Sequence, residues 1–220
     1  MAAGELAPER RRRLLEVAAR EFAARGYEHA SLNAIIHTCG MSKSSFYHYM
    51  GSKAALFDTV VREATGALAR RLRVPAPREL AGPHFWDRVT ALLNDVLAAA
   101  DREQWYAEAG KLFYLPDVPD GQGTVLREVL RSIHTWLTQA LAVGRECGAV
   151  RDDLPASLQA ALVGDVLQCL DRWSLQHLRE SPAAVRADLM RAQIEVLHRL
   201  LAPSPRAAQP TGGTEQGAEP

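Results

Sequence analysis

The sequence predicts an all-α protein of about nine helices, and three observations carry that prediction. Apolar residues recur at the spacing of one helix face, as at Leu15, Ala18, Ala19 and Phe22. Serines stand where helices should begin (Ser31, Ser42, Ser52), and glycines where they should end (Gly26, Gly40, Gly51). No segment alternates apolar and polar residues in the manner of a strand.

Taken in order, "PERRRRLLEVAAREFAARG" from Pro8 forms the first helix and stops at Gly26. Ser31 caps a short second helix that runs to about Cys39, before Gly40 breaks it. Ser42 caps a third that ends near Met50 and Gly51. Ser52 caps a long fourth helix reaching about Leu72. The stretch "RVPAPRELAGP", residues 73–83, has three prolines and cannot continue a helix, so it marks a boundary. Beyond it "HFWDRVTALLNDVLAAA", "REQWYAEAGKLFYL" and the run from about Gly123 to Cys147 are helical in period. A break at "GAVRDDLP" precedes "ASLQAALVGDVLQCLDRWSLQHL". Ser181 and Pro182 then supply an N-cap and a first-turn proline for a last helix ending near Leu201. Residues 203–220 have little apolar content and read as a disordered tail.

A chain of 220 residues, nearly half apolar and about a quarter charged, has the profile of a globular protein with a sizeable core. The net charge is zero, but residues 1–73 hold 12 Lys+Arg against 7 Asp+Glu, and residues 74–220 hold 14 against 19. A front of +5 on a body of −5 favours polyanion binding by the front alone. Cys39, Cys147 and Cys169 are odd in number and lack the spacing of a metal site or disulfide frame, which points to a reducing compartment. No apolar run follows the charged N-terminus and none approaches a membrane span, so a cytoplasmic protein is expected. The histidines and acids form no nucleophile-base-orienter pattern and no phosphate-binding glycine loop is present; catalysis, a metal and a cofactor are therefore not expected.

Three short helices before a long fourth, with Gly40 in the turn "Cys39-Gly40-Met41-Ser42", make a helix-turn-helix. Small side chains at Ser44 and Ser45 let the backbone of the third helix approach base edges. Ser42, Ser44, Ser45, Tyr47, His48 and Tyr49 can bond phosphate oxygens, and Lys43 and Lys53 add point charges. Ser31 and Ser52 sit at helix N-termini, which favour phosphate. Phe46 and Met50, four apart, read as core, and Arg10 to Arg13 as a solvated helix start.

Residues 13–57, with "AAREFAARGY", the Ser-Leu opening of the second helix and "GMSKSSFYHYMGSKAAL", closely resemble the DNA-binding domain of TetR-family transcriptional regulators. The resemblance implies that Ser31 and Lys53 contact the DNA backbone. It gives Ser42, Lys43, Ser44, Ser45 and His48 to base or phosphate, and Tyr47 and Tyr49 to phosphate. The chain departs from the family's usual pattern at Ser44, where glycine is commonest, and at Ile36 and Met50. Ser44 either reads a base or makes room for one.

The resemblance further implies a DNA-binding domain over residues 1–52 and a ligand-binding and dimerisation domain over residues 53–202. The function expected is a repressor that binds double-stranded, palindromic operator DNA as a homodimer and is released by a small apolar or aromatic effector. The last two long helices are apolar around their circumference: Leu158, Ala161, Leu162, Val166 and Cys169 on one side of the first, Val163, Leu167 and Leu170 on another. The final helix repeats this with Leu189, Val196 and Leu200 against Ile194, Leu197 and Leu201. One core does not need both faces, so a second subunit is the economical partner. Nearly all large aromatics outside the helix-turn-helix fall in the region the resemblance assigns to the effector. Trp86, Trp105, Tyr106, Phe113, Tyr114 and Trp173, with the polar His134, Asp165, Gln168 and Cys169, are its candidate ligand residues. Two other readings stand beside this one: a sequestration module with a vestigial helix-turn-helix, and an activator of the same fold.

Overall fold

The computed structural model describes residues 6–100, 104–119, 121–177 and 181–203, and among them helices joined by turns and loops are the regular structure. The helices are α1 (Pro8–His29), α2 (Leu32–Thr38), α3 (Lys43–Met50), α4 (Lys53–Arg71), α5 (Phe85–Ala100), α6 (Gln104–Lys111), α7 (Thr124–Glu146), α8 (Ala156–His177) and α9 (Ala183–Leu201). Short 3-10 turns cover Pro77–Leu80 and Leu112–Tyr114. The tail from residue 204 lies outside the described residues.

The three serine caps form as their positions predict. Ser31, Ser42 and Ser52 each accept the N–H three residues on, from Ala34, Ser45 and Ala55, at 3.2, 3.1 and 3.0 Å. At the α2–α3 turn Gly40 takes φ 61°, a left-handed conformation that glycine reaches without steric cost, and Met41 N–H closes back onto the Ile36 carbonyl at 3.0 Å.

Two expected boundaries shift. Gly26 leaves helical geometry (φ 78°, ψ 173°), yet one further turn continues to His29, because groups distant in sequence hold it there. At α9 the cap position falls on Pro182 rather than Ser181, with no side-chain cap bond. Proline has no N–H to contribute to the first turn, so it serves one position earlier as well.

Two apolar cores organise the chain. In the first, Leu14, Ala18 and Phe22 of α1 meet Ile35, Phe46, Leu56, Phe57 and Val60 of α2 to α4, joined by Leu112 and Leu126 from beyond the proline-rich stretch. Phe57 stands edge-on to both Phe22 and Tyr27, each with ring centroids 5.1 Å apart. The second core gathers Leu80, Phe85, Ala140, Leu141, Val150, Val163 and Leu201. At 23 residues, α7 is about 34 Å long and serves both, through Leu126 at one end and Leu141 at the other.

The proline-rich stretch lies along α7: Leu80 is fully buried, and the Trp136 indole N–H donates to the Pro75 carbonyl at 2.8 Å. The α7–α8 turn closes on Gln159, whose burial is matched by hydrogen bonds. Its amide donates to the Arg151 carbonyl at 2.9 Å and accepts from Arg145 at 3.2 Å. Among the described residues no helix is long and apolar enough to cross a membrane.

Candidate nucleic-acid interface and effector region

α3 is anchored from one side only. Phe46 is fully buried in the first core and Met50 packs against that core, while Ser42, Lys43, Ser44, Tyr47, His48 and Tyr49 face solvent. Tyr47 is 52% exposed, so its ring contributes to the surface, touching Phe46 edge-on at 5.4 Å. Ser45 is half-buried beside its cap bond with Ser42. The result is one helix with hydroxyls, phenols, an imidazole and an ammonium on a single outward face, small at Ser44 and Ser45 where the backbone would come closest to a groove.

Ser31 and Lys53 flank this helix, half-buried at the starts of α2 and α4. Lys53 Nζ donates to the Glu28 carbonyl at 2.9 Å and lies 5.2 Å from the centre of the Tyr27 ring. Of the arginine run, Arg11 pairs with Glu63 of α4 at 2.6 Å. Arg13 donates to the carbonyl of Thr38 at the α2 C-terminus at 3.1 Å. Arg11 thereby ties α1 to α4, and Arg13 ties α1 to α2. Burial raises the pKa of the Cys39 thiol, and the Arg13 charge opposes it.

The expected ligand residues spread over several settings. Trp86 belongs to the second core, its N–H donating to the Ala149 carbonyl at 2.9 Å and its ring edge-on to His198 at 4.7 Å. Trp105 is half-buried on α6, and Phe113 packs on the first core. The Tyr114 hydroxyl donates to the carboxylate of Asp171 on α8. His134, Asp165, Gln168 and Cys169 lie on exposed faces of α7 and α8, as does Trp173, which stacks on His177 at 4.6 Å. The Tyr106 side chain lies outside the described residues.

Asp171 was not among the expected residues, although Asp165, the other acid of the same apolar helix, was. Desolvation raises the pKa of both members of this pair. For Tyr114 the nearby Asp171 charge adds to burial, and for Asp171 the Tyr114 hydrogen bond opposes it. Residue 171 as a whole keeps solvent contact, so its carboxylate sits at the edge of the contact between α8 and the Leu112–Tyr114 turn. No group of three or more His, Cys, Asp or Glu among the described residues could hold a metal ion.

Apolar residues also remain outside both cores on α8 and α9: Leu158, Leu162 and Trp173 on one, Val185 and Val196 on the other, each 38–50% exposed. The opposite faces, with Ala160, Val163, Leu197 and Leu201, are buried within the chain. Of the two faces read from the sequence, Leu158, Leu162 and Val196 stand exposed, whereas Leu200, expected on the side of Val196, packs against the second core with Leu201.

Comparison with known proteins agrees with this geometry. Residues 14–60 match the family described as "Bacterial regulatory proteins, tetR family". The transcriptional repressor Rv1474c of Mycobacterium tuberculosis is 31% identical over 164 residues, covering 73% of this chain and 75% of that protein. Among solved structures, the ketosteroid transcriptional regulator KstR2 of Mycobacterium tuberculosis shares the fold with a TM-score of 0.67 at 19% identity, over 91% of this chain and 98% of the other. AibR, solved with isovaleryl coenzyme A and operator DNA, shares it with a TM-score of 0.65 at 17% identity, over 85% and 97%. The chain therefore belongs to the TetR family of DNA-binding transcriptional regulators, which are not enzymes.

Proposed function

We propose that the protein is a repressor that binds an inverted-repeat operator as a homodimer and leaves it when a small apolar or aromatic effector binds. In this reading residues 1–52 bind DNA, and residues 53–202 hold the effector and the dimer interface. The observation that carries it is the coexistence of two unpartnered surfaces: the polar face of α3 and the apolar face of α8 and α9. A single short recognition helix reads few bases. Pairing two chains through α8 and α9 would set two α3 helices about 34–36 Å apart, or a multiple of that, along one side of a duplex.

Release follows from linkage. An effector weakens operator binding only by favouring a conformation whose two α3 helices are wrongly spaced. The support for such coupling is that α6 and the Leu112–Tyr114 turn, which bear Trp105, Phe113 and Tyr114, pack directly on α1 and α4. AibR, a chain of the same fold solved with both an acyl-coenzyme A and operator DNA, supports the pairing of effector and operator in one molecule.

The test joins sedimentation with fluorescence anisotropy on a labelled duplex from the intergenic DNA beside the protein's own gene. A dimer that binds with steep salt dependence, and that loses affinity in Y47F and K43A, is expected. A monomer that saturates the site alone would refute the dimer. A wild-type chain that binds no DNA would leave the sequestration reading.

A further inference from the structure

The loop joining α6 to α7 reaches back 90 residues in sequence to hold the end of α1. Where Gly26 turns out of the helix, the N–H groups of Tyr27 and Glu28 point the same way, and the Asp117 carboxylate accepts one on each oxygen, both at 2.9 Å. Successive N–H groups beside a left-handed glycine make an anion-binding concavity, here filled by a side chain of the same molecule. A Cβ at position 26 would stand 2.5 Å from Asp117 Oδ2, so glycine is required for room as well as for φ. The Tyr27 hydroxyl donates to Gln122 of the same loop, making a second tie. Burial pushes the Asp117 carboxyl up, but the N–H groups of Glu28 and Tyr27 outweigh it and hold the carboxyl below its ordinary value.

What the loop holds is the seat of Lys53. The Glu28 carbonyl takes one of the three ammonium protons, and the face of Tyr27 lies beneath the charge. Lysine carries a flexible four-carbon stem, so an ammonium already seated loses less freedom when it meets a phosphate. We infer that Asp117 is a positioning residue for DNA binding: by fixing the Tyr27–Glu28 turn it aims Lys53 at the operator backbone. The phosphate grip is thereby conditional on where the α6–α7 loop lies. The inference rests on Lys53 being a phosphate contact. It gives the effector region a route to the DNA that needs no movement of α3.

A double-mutant cycle on the full chain tests it, with anisotropy of the intergenic duplex measured over a series of KCl concentrations. K53A and D117A should each weaken binding about tenfold, the scale of removing one charge-assisted hydrogen bond. Each should also flatten the plot of log affinity against log salt by about 0.9 for every phosphate no longer neutralised. The double variant should bind no more weakly than K53A alone, whereas K43A combined with D117A should be additive, because Lys43 stands exposed on α3 away from the loop. Additive losses for D117A and K53A, or a D117A loss with an unchanged salt slope, would show that Asp117 acts through stability alone and overturn the inference. Unchanged affinity in D117A would overturn it as well. If circular dichroism shows D117A unfolded, D117N, which keeps the size and removes the second acceptor, takes its place in the same cycle. A wild type that binds no DNA removes the regulator reading itself, an outcome distinct from a binding wild type with additive variants.

Discussion

Replacing Phe57 by leucine removes the ring that joins α4 to α1 while keeping most of the apolar volume. Phe57 is fully buried and meets Phe22 at 87° and Tyr27 at 88°, both at 5.1 Å. Such edge-to-face pairs contribute about 0.5–1.5 kcal/mol each beyond buried area, so two of them give about 1–3 kcal/mol. The partly empty site adds a cavity cost of about 1 kcal/mol, and the total comes to roughly 2–4 kcal/mol. For a chain of this length that corresponds to a fall in Tm of roughly 4–16 °C. The assay is urea and thermal denaturation followed in parallel by far-ultraviolet circular dichroism and tryptophan fluorescence. All four tryptophans (Trp86, Trp105, Trp136 and Trp173) lie outside α1 to α4, so they report the rest of the chain. Because Leu112 and Leu126 share the core of Phe57, both probes should shift together with m unchanged. A loss under about 0.5 kcal/mol, below the smallest ring-pair contribution, or a dichroism transition that moves while the fluorescence transition stays, would refute the shared core.

Four further outcomes are expected. L162E places a charge on the unpartnered face of α8, and should give a folded monomer by sedimentation with greatly weakened operator binding; a surviving dimer would place the interface elsewhere. D171N removes a carboxylate whose pKa desolvation raises, keeping an acceptor for the Tyr114 hydroxyl. An acid with a raised folded pKa is favoured while protonated and loses stability as pH rises through that pKa. D171N should therefore raise Tm at pH 7 and give little change below the ordinary value of 3.8; equal gains at both would contradict it. G144A sets a Cβ 2.5 Å from Val150 and 2.8 Å from Phe85, and should cost about 1–3 kcal/mol in denaturant unfolding. G164A has nothing within 4 Å in the chain and should stabilise it by up to about 1 kcal/mol, unless a partner helix lies there.

Sequence signals are legible where the physics is local. Ser31, Ser42 and Ser52 cap because a hydroxyl at a helix start bonds the N–H three residues on, whatever surrounds it. The outward face of α3 follows in the same way from Phe46 and Met50 lying four apart. Gly26 is legible as a break, but not the turn beyond it, since the carboxylate that sustains that turn belongs to Asp117. Nothing in "LPDVPD" announces which distant N–H groups Asp117 will meet. The effector region is the least legible part. An aromatic on a helix looks the same in sequence whether it fills a core, as Trp86 does, or stacks at the surface, as Trp173 does. Tertiary packing alone separates them.

The central claim concerns how many chains occupy one operator and where they touch it. Hydroxyl-radical footprinting of the intergenic duplex, with the stoichiometry fixed by titration above Kd, measures both. The prediction is two chains per inverted repeat and two protected patches on one face of the duplex, about 34–36 Å apart or a multiple of it. One chain saturating the site, or a single protected patch, would contradict it.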